Sequence, residues 1–221
     1  MASGRRRFIT TGMGGALALG SSGSLLAGSS EPIASTLPFF EVLRRRRTVR
    51  RYKSAAVPDA HLNAILEAGR LAPDSANQQP WRFLVLKDRA KVEQIREAAL
   101  ASPHAEMGRD PKAYLDGLLA APVFVLVFID KQAAHPQYRI QDGTLAAGQM
   151  MLAARALGYG TVFLTTGIPE DATRKVLGTP DRYLRICMMP IGIPDAAGPD
   201  GWPASPPKKH LDEIVVADVL K

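Results

Sequence analysis

Residues Arg44–Tyr52 read RRRRTVRRY, and one helix further on Ala72–Leu86 read APDSANQQPWRFLVL. Six arginines in nine residues form a dense set of donors that must meet anions or stay in water. Three readings are open: a solvated or disordered basic arm, a surface that neutralises nucleic-acid phosphates, or a discrete pocket in which guanidinium forks and the Thr48 hydroxyl hold one phosphomonoester. The chain that follows is patterned, which disfavours the disordered arm. Val57-Pro58-Asp59 opens a helix with Asp59 as its N-cap, and Leu62, Ile65, Leu66 and Gly69 form a core-facing stripe until Pro73 ends it.

Outward from these stretches the chain alternates strands and helices. Phe39 to Arg46 reads as a short helix with arginines at its C-terminal end, where the helix dipole favours cations, so only some of the six need touch a ligand. Trp81 to Lys87 is a strand, and Asp88 caps a helix from Arg89 to Ala101 that buries Val92, Ile95 and Ala99. Ser102 to Pro111 is loop-like, and a short helix runs to Leu119. Pro122 to Ile129, PVFVLVFI, has the unbroken apolar character of a strand covered on both faces. An Ala-rich helix spans Gln141 to Leu157 with Gly158 as its C-cap, its small residues inviting a close helix or subunit contact. Strands are expected over Gly160 to Thr166 and Arg185 to Ile193 with PEDATRKVLG as a helix between, then a Pro/Gly-rich loop from Gly198 to Pro207 and an extended end. This alternation predicts an α+β fold, a three-layer α/β/α sandwich with a mixed central sheet.

Composition narrows the class. At 221 residues, 46% hydrophobic and 22% charged, the chain suits one globular domain. Its formal charge of +7 is concentrated in Arg5–Arg7 and Arg44–Arg51 rather than spread over a face, which argues against a nonspecific nucleic-acid binder. Cys187 is the single cysteine, in apolar surroundings that suit an inert buried thiol. The four histidines are scattered without metal-ligand spacing, so no metal site is expected. Residues 1–30 carry a basic start and a short Gly/Ser-padded apolar run, residues 31–38 read as a linker, and residues 39–221 as the folded domain. No run is long and apolar enough for stable membrane insertion.

Arg46, Arg47, Thr48 and Arg50, followed by Ala72, Pro73, Asn77, Gln79, Pro80 and Trp81, resemble the two signature segments of the FMN-dependent nitroreductase family. The resemblance extends over roughly Phe39 to Val216. It implies a nitroreductase-like fold, FMN as cofactor and a homodimer with FMN at the subunit interface. By position it implies cofactor contacts from Arg46, Arg47, Thr48, Val49 and Arg50, with Arg50 near the pyrimidine edge. It adds Pro73, Asp74, Ser75, Asn77 and Gln79 against the ring, Thr165, Thr166 and Gly167 on its other side, and Lys208, or Lys209 in its stead, on the phosphate. Asp74 departs from the pattern, which has Ser there, so its contact is by side chain or by backbone; Asx turns are the structural alternative for Asp74 and Asn77.

The implied chemistry is ping-pong hydride transfer from NAD(P)H through FMN to a nitroaromatic, quinone or similar planar acceptor, with no dedicated catalytic side chain. Two other classes stand beside it: a dehalogenase-like or flavin-destroying relative, and a basic nucleic-acid or membrane-surface binder. Arg5, Arg6 and Phe8 resemble a twin-arginine export signal, which implies a periplasmic protein, the alternative being a cytoplasmic one. Removing Arg5–Arg7 would lower the formal charge from +7 to +4. Because free nicotinamide is expected to be scarce outside the cytoplasm, export implies an unusual donor or activity before export.

Overall fold

The computed structural model describes residues 34–101, 108 and 110–219; residues 1–30, where an export signal is expected, and most of the Ser102 to Pro111 loop lie outside them. The elements are α1 (Phe39–Arg45), α2 (Asp59–Arg70), β1 (Trp81–Leu86), α3 (Arg89–Ala101), α4 (Pro111–Leu119), β2 (Val123–Asp130), α5 (Arg139–Ala156), β3 (Gly160–Thr161), α6 (Glu170–Leu177) and β4 (Tyr183–Gly192). The strands order β1-β2-β4-β3 and pair antiparallel. The sheet, expected to be mixed, is antiparallel in these four strands; a parallel pairing occurs as an isolated bridge between Thr48 and Thr161 at its β3 edge.

β2 divides the interior into two cores. Its eight residues are all buried, and strand alternation sends Val123, Val125, Val127 and Ile129 to one face and Phe124, Leu126 and Phe128 to the other. The first face packs on α2 and α5, the second on α3 and α4, giving helices on both sides of the sheet. A bulge in β4 at Ile186 lets Ile186 and Cys187 face the same core although they are neighbours in sequence. Gly143 of α5 makes room for it, since a Cβ there would stand 2.4 Å from the Ile186 side chain. Burial pushes the Cys187 thiol up to about 12, so it is a packed apolar group and no nucleophile at neutral pH.

Several boundaries shift for physical reasons. Asp59 is the first helical residue and not the cap; Pro58 occupies that position, and the Asp59 carboxylate instead accepts from Lys87 at 2.5 Å. The cap of α5 is Leu157, and Gly158 follows it in the left-handed region at φ 87°. The strand expected over Gly160 to Thr166 is regular only at Gly160–Thr161, with one further bridge from Leu164 to Met188, so Thr165 and Thr166 leave the sheet. The C-terminal residues form a short 3-10 turn at Leu211–Glu213 within an exposed, mostly irregular segment.

Candidate functional site

The basic run divides by partner. In the last turn of α1, Arg44 and Arg45 both bind Glu41, at 2.9 and 2.8 Å, and those hydrogen bonds hold the Glu41 carboxyl below its usual range. The Arg47 guanidinium donates to the carbonyls of Arg44 (2.6 Å) and Arg46 (2.8 Å), clamping the turn that leaves the helix. Beyond it the chain is extended along the sheet edge. Val49 N–H donates to Thr161 O at 3.0 Å and Lys53 N–H to Ile193 O at 3.0 Å. Alternation along such a segment buries Val49 and leaves Thr48 and Arg50 exposed.

Arg46, Arg47, Thr48 and Arg50 line one cavity of about 630 Å³, and its far wall is Pro203–Pro206 and Lys208. The two distant basic segments therefore meet on one protomer. With Arg44 the lining carries five cations and no carboxylate. Arg46, Arg50 and Lys208 have no ion pair or side-chain hydrogen bond among the described residues. Unpaired like charges facing one hollow repel each other unless an anion joins them, and paired, charge-assisted hydrogen bonds are what a phosphomonoester offers. Val49 differs from its neighbours in the expected set: it is fully buried, its N–H serves Thr161, and its carbonyl accepts from Tyr52 Oη at 2.5 Å. It backs the cavity from the core, pressed against Gly160, where a Cβ would come within 2.6 Å of the Val49 side chain. Lys209 is exposed beside Lys208 but does not line the cavity.

The remaining expected residues lie elsewhere on the protomer. Pro73, Asp74 and Ser75 line a second cavity of about 340 Å³ with Tyr138 and Asp142. Their loop binds itself: Gln79 N–H donates to Asp74 Oδ2 at 2.8 Å, Gln79 Nε2 to Asn77 Oδ1 at 3.2 Å, and Ser75 N–H to Asp142 Oδ1 at 3.0 Å. Asp74 thus closes its own loop across five residues, a longer reach than an Asx turn, and Ala76, Asn77 and Gln79 adopt positive φ within it. Thr165 lines a third cavity of about 250 Å³ with Phe163, Leu184 and Arg185. Thr166 is exposed and Gly167 is buried at φ 80°, its backbone facing the Tyr114 hydroxyl. The Asp142 anchor gave no signal in the sequence beyond an acidic residue in the first turn of α5, and the Pro203–Pro206 wall none beyond its prolines. No cluster of three His, Cys, Asp or Glu suited to a metal occurs among the described residues.

The model of the nitroreductase family matches residues 43–193. The chain belongs to the nitroreductase family. Among similar proteins, an NADH dehydrogenase of Thermus thermophilus is 27% identical over 220 residues, covering 82% of this chain and 98% of that one. A candidate nitroreductase from Desulfovibrio desulfuricans, solved in complex with FMN, is 30% identical with a TM-score of 0.66 over 84% of this nitroreductase-family chain and 99% of the other. An oxidized iodotyrosine deiodinase solved with FMN and 3-iodo-L-tyrosine is 30% identical with a TM-score of 0.62, covering 79% and 98%.

Proposed function

We propose that this protein is an FMN-dependent oxidoreductase whose phosphate site is the Arg46–Arg50/Lys208 cavity. The observation that carries the reading is the convergence of Arg46, Thr48, Arg50 and Lys208, from segments more than 150 residues apart, on one hollow without a carboxylate. The donor set fits the group: three cations without partners and a hydroxyl supply the forks that offset desolvation of a doubly charged phosphate. The chemistry FMN supplies when bound is two-electron transfer from NAD(P)H to a nitroaromatic, quinone or similar planar acceptor in ping-pong order. Arg46, Arg50 and Lys208 bind the phosphate end, Thr48 donates its hydroxyl beside them, and Arg47, already fixed on two carbonyls, holds the turn that aims them. The Ala72–Pro80 loop, tied down by Asp142, presents Pro73, Asp74 and Ser75 as a rigid ledge.

The assembly we propose is a homodimer, because the three cavities are separate on one protomer and a second copy would bring ledge and phosphate site together. The exposed Tyr138, Ile140 and Leu145 of the α5 region offer an apolar contact for it. A dehalogenase-like activity is the second reading, favoured by the likeness to the deiodinase solved with 3-iodo-L-tyrosine. We further propose export through the twin-arginine pathway, tested by whether a reporter fused behind residues 1–38 leaves the cytoplasm and stays there when Arg5 and Arg6 become lysine. For the cofactor, the purified protein is expected to be yellow and to release FMN on denaturation, identified by mass. A colourless protein that does not take up added FMN overturns the proposal.

A further inference from the structure

Trp202 is the last fixed point before the far wall of the cationic cavity. Its N–H donates to Pro199 O at 3.0 Å, and Gly201 O accepts from Ala196 N–H at 2.8 Å, closing a tight loop after β4. Two glycines are required there. A Cβ on Gly198 would lie 2.0 Å from Trp202 O, and Gly201 sits at φ 77° against Pro194 O. From Pro203 to Lys209 no backbone hydrogen bond ties the chain to the rest of the described residues. That stretch contains Pro203, Pro206 and Pro207, whose fixed φ angles make it stiff, so the orientation set at Trp202 is carried forward to Lys208.

Trp202 packs on the second core from one side, and Arg155, in the last turn of α5, covers its ring with its guanidinium carbon 3.8 Å from the indole centroid. This arginine has no carboxylate partner, and its Nε is buried without a hydrogen bond among the described residues. Burial, then the nearby Arg45 and Arg47 charges, draw its pKa down, which puts it behind the same basic turn that lines the cavity. Among the described residues the indole face is the side-chain partner of this partly buried cation, so the two side chains fix each other's place.

We propose that Arg155 and Trp202 form a positioning pair that holds the Pro203–Lys208 wall over the basic turn and so sets the cavity's grip on a phosphate group. It rests on the reading of that cavity as the FMN phosphate site. The pair touches no ligand itself; it acts through Lys208. The test uses the full-length holoprotein, with FMN and riboflavin as probes, because they differ only by the phosphate. Trp202→Leu weakens FMN binding about tenfold, leaves riboflavin binding within about twofold, and Trp202→Phe restores most of the loss. Lys208→Ala weakens FMN in the wild-type background and changes it less than about twofold once Trp202 is leucine, since the lysine is already displaced. Equal loss for FMN and riboflavin, or a Lys208→Ala effect of the same size in both backgrounds, overturns the proposal. Should Trp202→Leu not fold, the Arg155→Met and Lys208→Ala cycle is read the same way. A wild type that binds neither flavin sinks the FMN reading alone, and the same cycle with inorganic phosphate then decides the positioning role.

Discussion

The cationic cavity and the Ala72–Pro80 loop were both expected to hold the cofactor, yet their polar groups are spent differently. In the loop the side-chain oxygens of three residues and two backbone N–H groups are used within the protein: Asp74 takes Gln79 N–H, Asn77 takes the Gln79 amide, Asp142 takes Ser75 N–H, and Gln78 Oε1 takes His135 N–H at 2.9 Å. In the cavity Arg46, Arg50 and Lys208 are left over. Satisfied polar groups build a rigid shape; unsatisfied charges of one sign wait for a ligand. On the proposed reading the contrast gives affinity to the cavity and geometry to the loop.

The sharpest way to break that contrast is to remove the leftover charges. Arg46→Ala with Arg50→Ala is expected to cost about 3–6 kcal/mol of FMN affinity, from two charged hydrogen-bonding groups, with the melting temperature hardly moved. Fluorescence titration and thermal melts measure the two sides, and a protein that keeps its FMN after both changes returns the run to a solvated face.

Next in size is Asp142→Ala, which strips the Ser75 N–H of its acceptor and is expected to destabilise the fold by about 1–3 kcal/mol. Its effect on FMN affinity should be smaller than that of the arginine pair. Asp142→Asn, which keeps an acceptor oxygen, should recover most of the stability in urea unfolding. A loss of FMN as large as the arginine variant's would show that the loop, too, holds the cofactor by affinity.

Acid provides a third probe, away from both regions. Asp130 at the end of β2 is fully buried, and its hydrogen bonds from Arg182 foremost hold its carboxyl down at about 2, against 3.8 ordinarily. A depressed folded-state pKa means stability that is complete above the ordinary value and is lost as pH falls from there through about 2. The Arg182 side chain is 46% exposed, so solvent screening reduces the contribution to about 1–2 kcal/mol. Asp130→Asn should flatten the pH dependence of unfolding between about pH 4 and 2; an unchanged slope rules the pair out as its source.

The smallest effect is expected from Arg45→Ala. Arg45 shares Glu41 with Arg44 in an exposed pair, 58% and 31% accessible, so its loss should change stability by less than about 1 kcal/mol and FMN affinity by less than about threefold. Comparing Arg45→Ala with Arg50→Ala, two arginines five positions apart, tests most directly whether partners and not proximity decide function.

Local pattern made much of this legible in the residues. The stripe Leu62, Ile65, Gly69 is buried in α2, Val92, Ile95 and Ala99 are buried in α3, and PVFVLVFI is the doubly covered strand, because burial on one or two faces imposes a period that sequence records. Capping was less legible. Asp59 looked like a cap, but a lysine across the fold, Lys87, took its carboxylate. Thr165 and Thr166 looked like strand continuation, yet only Leu164 keeps a bridge to β4.

By itself the sequence determined that a dense block of arginines precedes an α/β alternation with a polar Pro-Trp loop, and that this combination resembles nitroreductases. Which arginines are free was decided only by the tertiary structure, since charge is a property of a residue and partnership a property of a place. Glu41 beside Arg44 and Arg45, the carbonyls beside Arg47, and the Pro203–Lys208 wall facing Arg46 and Arg50 settle it, and only the first of these is suggested by spacing along the chain.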